Sequence, residues 1–195
     1  MVLYFDTETT SLTPGKICQL SYIMQNGREE KGKNFFFTVP KVDYGAYIVH
    51  GFSAEKLKVL SNGKTFADFI DEIEKDFSLA DVIVAHNFSF DYMFLSAEFN
   101  CLNRTFTYNE SFCSMKKSTP VCKIPRKSGV GYKYPKLNEL CDYFGISSLS
   151  VCDKTEKLFL TDANYHDARF DTVAMYLAIN RGIDHSLYEE LHKYI

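Results

Sequence analysis

Five side chains in this sequence are of types that could do metal or proton chemistry together. Asp6 and Glu8 lie near its start, Asp91 in its middle, and His166 and Asp171 towards its end. Asp6 and Glu8 follow Val2 to Phe5, an apolar run rich in strand formers, which predicts a buried strand. Side chains two apart on a strand share a face, so the two carboxylates leave the end of that strand in one direction. Burying an unpaired carboxylate is costly, and a second on the same face adds repulsion that raises a pKa. A divalent cation removes both penalties, and hard oxygen donors suit Mg²⁺ or Mn²⁺. Alone, an Asp-x-Glu reads more simply as a solvated turn after a strand that ends at Phe5.

Asp91 closes the stretch Ala-His-Asn-Phe-Ser-Phe-Asp, residues 85 to 91, and falls in the first turn of a predicted helix. An acid is favoured there by the helix dipole alone. His166 and Asp171 belong to Tyr-His-Asp-Ala-Arg-Phe-Asp, residues 165 to 171. Five residues on a continuous helix turn through about 500°, so the two would not share a face. They converge if His166 sits in the loop before the helix and Asp171 on its first turns. Otherwise His166 is a surface or cap histidine.

The elements that must position these groups follow from pattern and punctuation. Thr9 to Gly15 is predicted as a turn marked by Pro14-Gly15. Ile17 to Gln25 reads as a strand, Asn26-Gly27 as a hairpin turn, and Lys33 to Val39 as a third strand stopped by Pro40. Helices then take over. Ser53 caps a short one through Leu57, and Thr65 with Asp68 forms a capping pair ahead of Phe66, Phe69, Ile70, Ile73 and Phe77 at helical spacing. Val82-Ile83-Val84 is a short buried strand, 88 to 99 a helix, and 105 to 115 a further strand. Leu137 to Phe144 is a helix stopped by Gly145, His166 to Asn180 a core helix, and 185 to 194 a small terminal helix. Strands first and then alternation point to an α/β fold, a mixed sheet with helices on both faces.

The chain has 195 residues, 46% hydrophobic and 15% aromatic, which is enough for a packed core and argues against disorder. We expect one domain over 1–195. No apolar run is long enough to cross a bilayer, and the N-terminus lacks a secretory pattern, so a cytoplasmic location is expected. The six scattered cysteines, without a Cys-x-x-Cys pair, then read as reduced thiols. Net charge is −3, but of 22 basic residues seven lie between Lys116 and Lys136 in a stretch without an acid. That leaves 15 against 25 acids elsewhere, which predicts one local contact with phosphates rather than general coating of nucleic acid. The stretch has Pro120, Pro125, Gly129 and Gly131 and no periodicity, so 116–136 reads as a long basic loop.

Phe-Asp-Thr-Glu-Thr-Thr, His-Asn-x-x-Phe-Asp and His166 followed by Asp171 together resemble, in order, the three motifs of the DEDD exonucleases in their histidine subclass, the DnaQ-like DEDDh family. Position 167 is Asp, not the Tyr that the tyrosine subclass would carry. Ile-Val-His-Gly-Phe at 48 to 52 resembles the stretch between the first two motifs in the proofreading subunits of the family. Ser11 stands where the family commonly has Gly. The likeness runs from about Val2 to Asn180. It implies a ribonuclease-H-like five-stranded sheet, three antiparallel strands and then parallel ones, and 3′–5′ hydrolysis with two Mg²⁺ or Mn²⁺ ions. By resemblance Asp6, Glu8 and Asp171 would hold one ion, Asp6 would bridge to the second, and Asp91 would place that second ion through water. His166 would take the proton of the attacking water, moving in when substrate binds.

The resemblance also implies that Thr7, Glu8, Thr9 and Thr10 meet the terminal nucleotide, with Leu12 beside its base and His50, Asn87, Phe88 and His166 around it. Packing is the alternative for Phe88, and a plain turn residue for His50. Tyr132 and Tyr134 stand among Lys123, Arg126, Lys127, Lys133 and Lys136, the interleaving of a single-strand contact or else a solvated loop. The partner expected is nucleic acid with a free 3′ end, DNA ahead of RNA, with no membrane. The expected role is proofreading or repair. An RNA-trimming exonuclease and a binding module that accompanies a DNA polymerase remain as the other readings.

Overall fold

The computed structural model describes residues 1–13 and 15–195, so the part of the predicted Pro14-Gly15 turn that falls on Pro14 lies outside the described residues. The first strand, β1 (Val2–Thr9), does not stop where its apolar run stops. It carries on through Asp6 and Glu8 because β2 (Ile17–Asn26) keeps pairing with it, Asp6 opposite Ser21 and Glu8 opposite Gln19. The two acids are therefore strand residues and not turn residues. The third strand, β3 (Glu29–Phe36), pairs antiparallel with β2 starting from Asn26 opposite Glu29. This moves the hairpin turn to Gly27-Arg28, with Gly27 at φ 57°. It also moves the strand's end to Phe36, ahead of the expected Val39: Phe37 still donates to the Cys18 carbonyl, but the Thr38 amide turns away to the Lys64 carbonyl. Pro40 does not end the strand.

A seven-residue helix, α1 (Tyr44–His50), follows where none is expected, closed by Gly51 at φ 71°. Ser53 caps α2 (Ala54–Leu60) by accepting from the Lys56 amide. The Asp68 carboxylate accepts both the amide and the hydroxyl of Thr65, and a 3₁₀ turn over Phe66–Asp68 leads into α3 (Ile70–Leu79). Next come β4 (Val82–Ala85), α4 (Phe88–Cys101) and β5 (Glu110–Cys113), the last shorter than the 105–115 span expected. Both strands run parallel to β1, and the sheet order is β3-β2-β1-β4-β5.

The stretch expected as a loop from 116 begins instead as a helix, α5 (Ser114–Cys122). Packing decides this against Pro120: the Ser118 hydroxyl bonds that of Tyr188, and Val121 and Cys122 lie on the core. Only 123–136 is irregular. The remaining helices are α6 (Leu137–Phe144), α7 (Ser148–Phe159), α8 (Ala168–Asp184) and α9 (Glu189–His192). Of these α6 matches expectation to the residue, α7 is unexpected, and α8 starts two residues after His166. The N-terminal strand alternates between two cores. Val2 and Tyr4 face a cluster with Leu140, Val151, Val173 and Ile179, under α6, α7 and α8. Leu3 and Phe5 face Phe77, Phe94 and Phe99, on α3 and α4. Among the described residues no helix is long and apolar enough to cross a membrane.

Candidate active site

The alternation of β1 carries past its apolar part. Asp6 and Glu8 continue the Val2 and Tyr4 face towards α8, and Thr7 continues the opposite face towards α4. From α8 comes Asp171, in the first turn. One carboxylate oxygen from each of Asp6, Glu8 and Asp171 falls within 4.8 Å of the others. No ion pair among the described residues involves any of the three. Asp171 Oδ1 is buried with no hydrogen-bond partner. Burial first, and then the neighbouring acids, hold the carboxyls of Asp6 and Glu8 well above the usual range. Asp171 is pushed up to about 7, again mainly by burial, against the opposing pull of the His166 backbone amide.

Asp91 enters from α4 and is 2% exposed. The Thr7 hydroxyl donates to its Oδ1 at 2.7 Å, and burial pushes it up to about 7 despite that bond. Its charge raises Asp6, so it stands close, but it is not in the 4.8 Å group. His166 has φ 62°, is exposed, and lies in the turn immediately before α8. The loop placement that the five-residue spacing requires is therefore present. A buried frame fixes the start of α8. Asp167 caps it by accepting the Arg169 amide, and the Arg169 guanidinium closes on both Asp167 oxygens.

Two clefts meet at the acids. The first, about 580 Å³, is lined by Thr7, Glu8, Thr9 and Leu12 from the end of β1, by His50, Ala46 and Val49 from α1, and by Phe90 from α4. Leu12 is 86% exposed. Both ring nitrogens of His50 are engaged internally: Nδ1 accepts the Phe52 amide, which leaves Nε2–H to donate to the Thr9 carbonyl. Thr10, Asn87 and Phe88 do not line this cleft. The Thr10 amide donates to Lys16 and its carbonyl accepts from Asp43. Asn87 is the exposed residue at φ 73° between β4 and α4. Phe88 is buried against Phe5, Tyr92 and Tyr108. Phe90 takes the place at the cleft, and the helical period alone separates the two rings, since two residues turn about 200°. On α1, His50 carried a signal through the 48–52 stretch, whereas Ala46 and Val49 were not singled out as cleft residues.

The second cleft, about 490 Å³, is lined by Asp6, Asp171, His166, Tyr165, His86 and the start of α6. The irregular basic segment beside it is a small hairpin. Pro125 bridges Tyr132, the Arg126 amide donates to Gly131, and Lys133 donates to Ile124. Tyr132 and Tyr134 are half exposed, whereas Lys133 is tied to Glu139 and the Arg126 Nε to the Tyr132 carbonyl.

Residues 3–151 match the family model described as exonuclease (RNase_T), a span that holds Asp6, Glu8 and Asp91 and ends before His166 and Asp171. The DNA polymerase III subunit epsilon of Rickettsia prowazekii is 31% identical over 153 residues, covering 75% of this chain and 63% of its own. That of Salmonella typhimurium is 31% identical over 156 residues, covering 75% and 61%. The chain thus spans less than two thirds of the length of these relatives. Among solved structures, Escherichia coli exonuclease I in complex with a dA16 oligonucleotide superposes with a TM-score of 0.74 at 15% identity, covering 98% of this chain and 43% of that one. The nuclease domain of 3′hExo, a DEDDh family member bound to rAMP, superposes with a TM-score of 0.63 at 12% identity, covering 95% and 92%. These likenesses give the fold as ribonuclease-H-like.

Proposed function

The chain belongs to the exonuclease (RNase_T) family, and from that premise we propose that it removes nucleoside monophosphates from the 3′ end of single-stranded or frayed DNA. The observation that carries this reading is the meeting of three carboxylates outside any ion pair, Glu8 buried and Asp6 and Asp171 partly so, with an exposed histidine at their edge. Such a set is costly in a bare protein, and the orphaned Asp171 Oδ1 adds to the cost. All of its donors are hard oxygens, which fits Mg²⁺ or Mn²⁺.

Asp6, Glu8 and Asp171 would hold the metal, and Asp91, standing off beside Asp6, would reach a second ion through water. Bound divalent ions supply an activated water and neutralise the oxygen that departs. The chain's own residues supply the rest. His166 takes up the proton of the attacking water, and its exposed place before α8 lets the ring close on the substrate. Leu12, Val49 and Phe90 give the terminal nucleoside an apolar slot. Thr7 and Thr9 border it, and His50 holds the Thr9 carbonyl in place. Lys123, Arg126, Lys127, Tyr132 and Tyr134 on the hairpin meet the strand farther along.

DNA is favoured over RNA because the curated relatives are subunits of a DNA polymerase. The same relatives support proofreading beside such a polymerase as a second reading. The deciding assay compares end-labelled single-stranded DNA, duplex DNA and RNA with Mg²⁺, Mn²⁺ or chelator, with Asp6→Ala as the blank. Stepwise shortening from the 3′ end of DNA, lost in chelator and in the variant, is expected. Faster digestion of RNA would transfer the assignment to an RNA-trimming enzyme.

A further inference from the structure

The two clefts share no lining residue, yet both touch the acid cluster, one at Glu8 and the other at Asp6 and Asp171. A strand cut one nucleotide from its end presents two different chemistries at the cut. On one side is a single nucleoside, which an apolar slot such as Leu12, Val49 and Phe90 can take. On the other is a polymer whose phosphates need cations. Lys136 is the cation that lines the second cleft. It is exposed and makes no ion pair among the described residues, whereas Lys133 and Lys117 are each held by a glutamate.

His86 sets where Lys136 stands. Its Nε2 lies 3.1 Å from the Pro135 carbonyl, which can only accept, so Nε2 carries the proton. Nδ1 is then the acceptor for the Ser114 hydroxyl at 2.9 Å. Ser114 is fully buried at the start of α5, and Pro135 is buried one residue before Lys136. A single imidazole thus ties the end of the basic hairpin to the end of β4, beside the acids. Burial pushes His86 down to about 4, so it keeps this neutral, one-donor form at ordinary pH.

We infer that the second cleft seats the phosphate next to the cut on the polymer side, that Lys136 contacts it, and that His86 is the positioning residue for Lys136. This rests on the exonuclease reading and adds to it a subsite for the strand that remains. Two substrates separate the roles. The p-nitrophenyl ester of thymidine 5′-monophosphate has a nucleotide and a leaving group but no polymer, whereas oligothymidylate has both. Lys136→Met is expected to raise the KM for oligothymidylate at least tenfold more than the KM for the ester, with kcat little changed. Lys136→Arg should recover most of the loss, and His86→Ala should reproduce the same imbalance.

Anisotropy of a labelled oligothymidylate in chelator gives a readout without catalysis. There the slope of log Kd against log salt should fall by about 0.7 in Lys136→Met, the share of one phosphate on a single strand. An equal rise in both KM values, or an unchanged oligonucleotide KM and salt slope, would overturn the subsite. A parent protein that cleaves neither substrate overturns the exonuclease reading itself, and the subsite with it.

Discussion

The carboxamide of Gln19 grips Asp167: Nε2 donates to Asp167 Oδ1 at 2.9 Å, and Oε1 accepts the Ala168 amide at 3.1 Å. Gln19 is fully buried on β2, directly opposite Glu8. One side chain therefore spans from the strand beside the first acids to the cap of the helix that brings the last one. Asn34 on β3 accepts the second Nε2 proton. Gln19→Leu leaves Asp167, Asn34 and the Ala168 amide short of partners, at about 1–3 kcal/mol for each buried group so stranded. Thermal melts should show that loss. Because the displaced element carries Asp171 and His166, kcat should fall at least tenfold while the KM for DNA moves little. A variant that melts lower with kcat intact would show that the start of α8 holds its place without Gln19.

The metal-free protein should lose stability as pH rises to neutrality, and the loss should level off above it. Asp91 and Asp171 are pushed up to about 7, so below that pH the folded chain keeps protons that the unfolded chain has released. Their favourable contribution is complete below the usual carboxylate range and disappears as pH rises through about 7. His86, pushed down to about 4, works the other way, but only below its ordinary value near 6.5. The clean window is pH 6.5 to 8, where melting in chelator should decline. Asp171→Asn should flatten that decline by about 1 kcal/mol per pH unit near pH 6.5, where most of the folded chain still holds the proton, and by almost nothing near pH 8. Mg²⁺ or Mn²⁺ should raise the melting temperature of the parent more at pH 8 than at pH 6.5, since cations compete with protons for the same oxygens. A melting temperature that climbs from pH 6.5 to 8 in chelator would contradict the account.

His166→Ala separates proton transfer from metal binding. The ring is exposed and outside the 4.8 Å carboxylate group, so its removal should leave the Mg²⁺-induced rise in melting temperature as it was. The rate should drop roughly 10²–10⁴-fold, the usual value of a positioned base. Loss of the cation effect together with the rate would make His166 a ligand.

What the sequence disclosed, and what it withheld, has a physical pattern. The common face of Asp6 and Glu8 was legible from strand alternation once the three motifs set them on a strand, and α6 because a buried face marks its length and Gly145 its C-terminal end. Helix geometry made a loop position for His166 the condition for meeting Asp171, but the helix itself was expected to begin at His166 and begins at Ala168. By contrast α1 buries little: Tyr44, Tyr47, Ile48 and Val49 are all exposed, so no apolar stripe announces it. On α7 only Val151 and Thr155 are fully covered, too few to set a period. Helix α5 holds Pro120, a local signal that tertiary contacts through Ser118, Val121 and Cys122 override. Of the cleft residues on α1, His50 was found through the 48–52 stretch, whereas Ala46 and Val49 were lost with their helix.

Phe88 and Phe90 test whether the helical period assigns the two rings correctly. Phe88 is 8% exposed and packed edge-on to Phe5 behind β1, while Phe90 borders the apolar cleft beside Leu12 and Glu8. Phe88→Ala opens a cavity in the core and should cost about 3–5 kcal/mol, read from denaturant melts. Its KM for DNA should stay near that of the parent at temperatures where it is folded. Phe90→Ala removes a wall of the slot, so the KM for oligonucleotide and for a mononucleotide ester should rise together, several-fold, since both place a nucleoside there. It should cost less stability than Phe88→Ala, because Phe90 is only partly buried, although its contact with Phe94 at 4.9 Å between ring centres ties it to the core. The reverse pattern, with Phe88→Ala altering KM and Phe90→Ala collapsing the fold, would place the terminal nucleoside on the other side of α4.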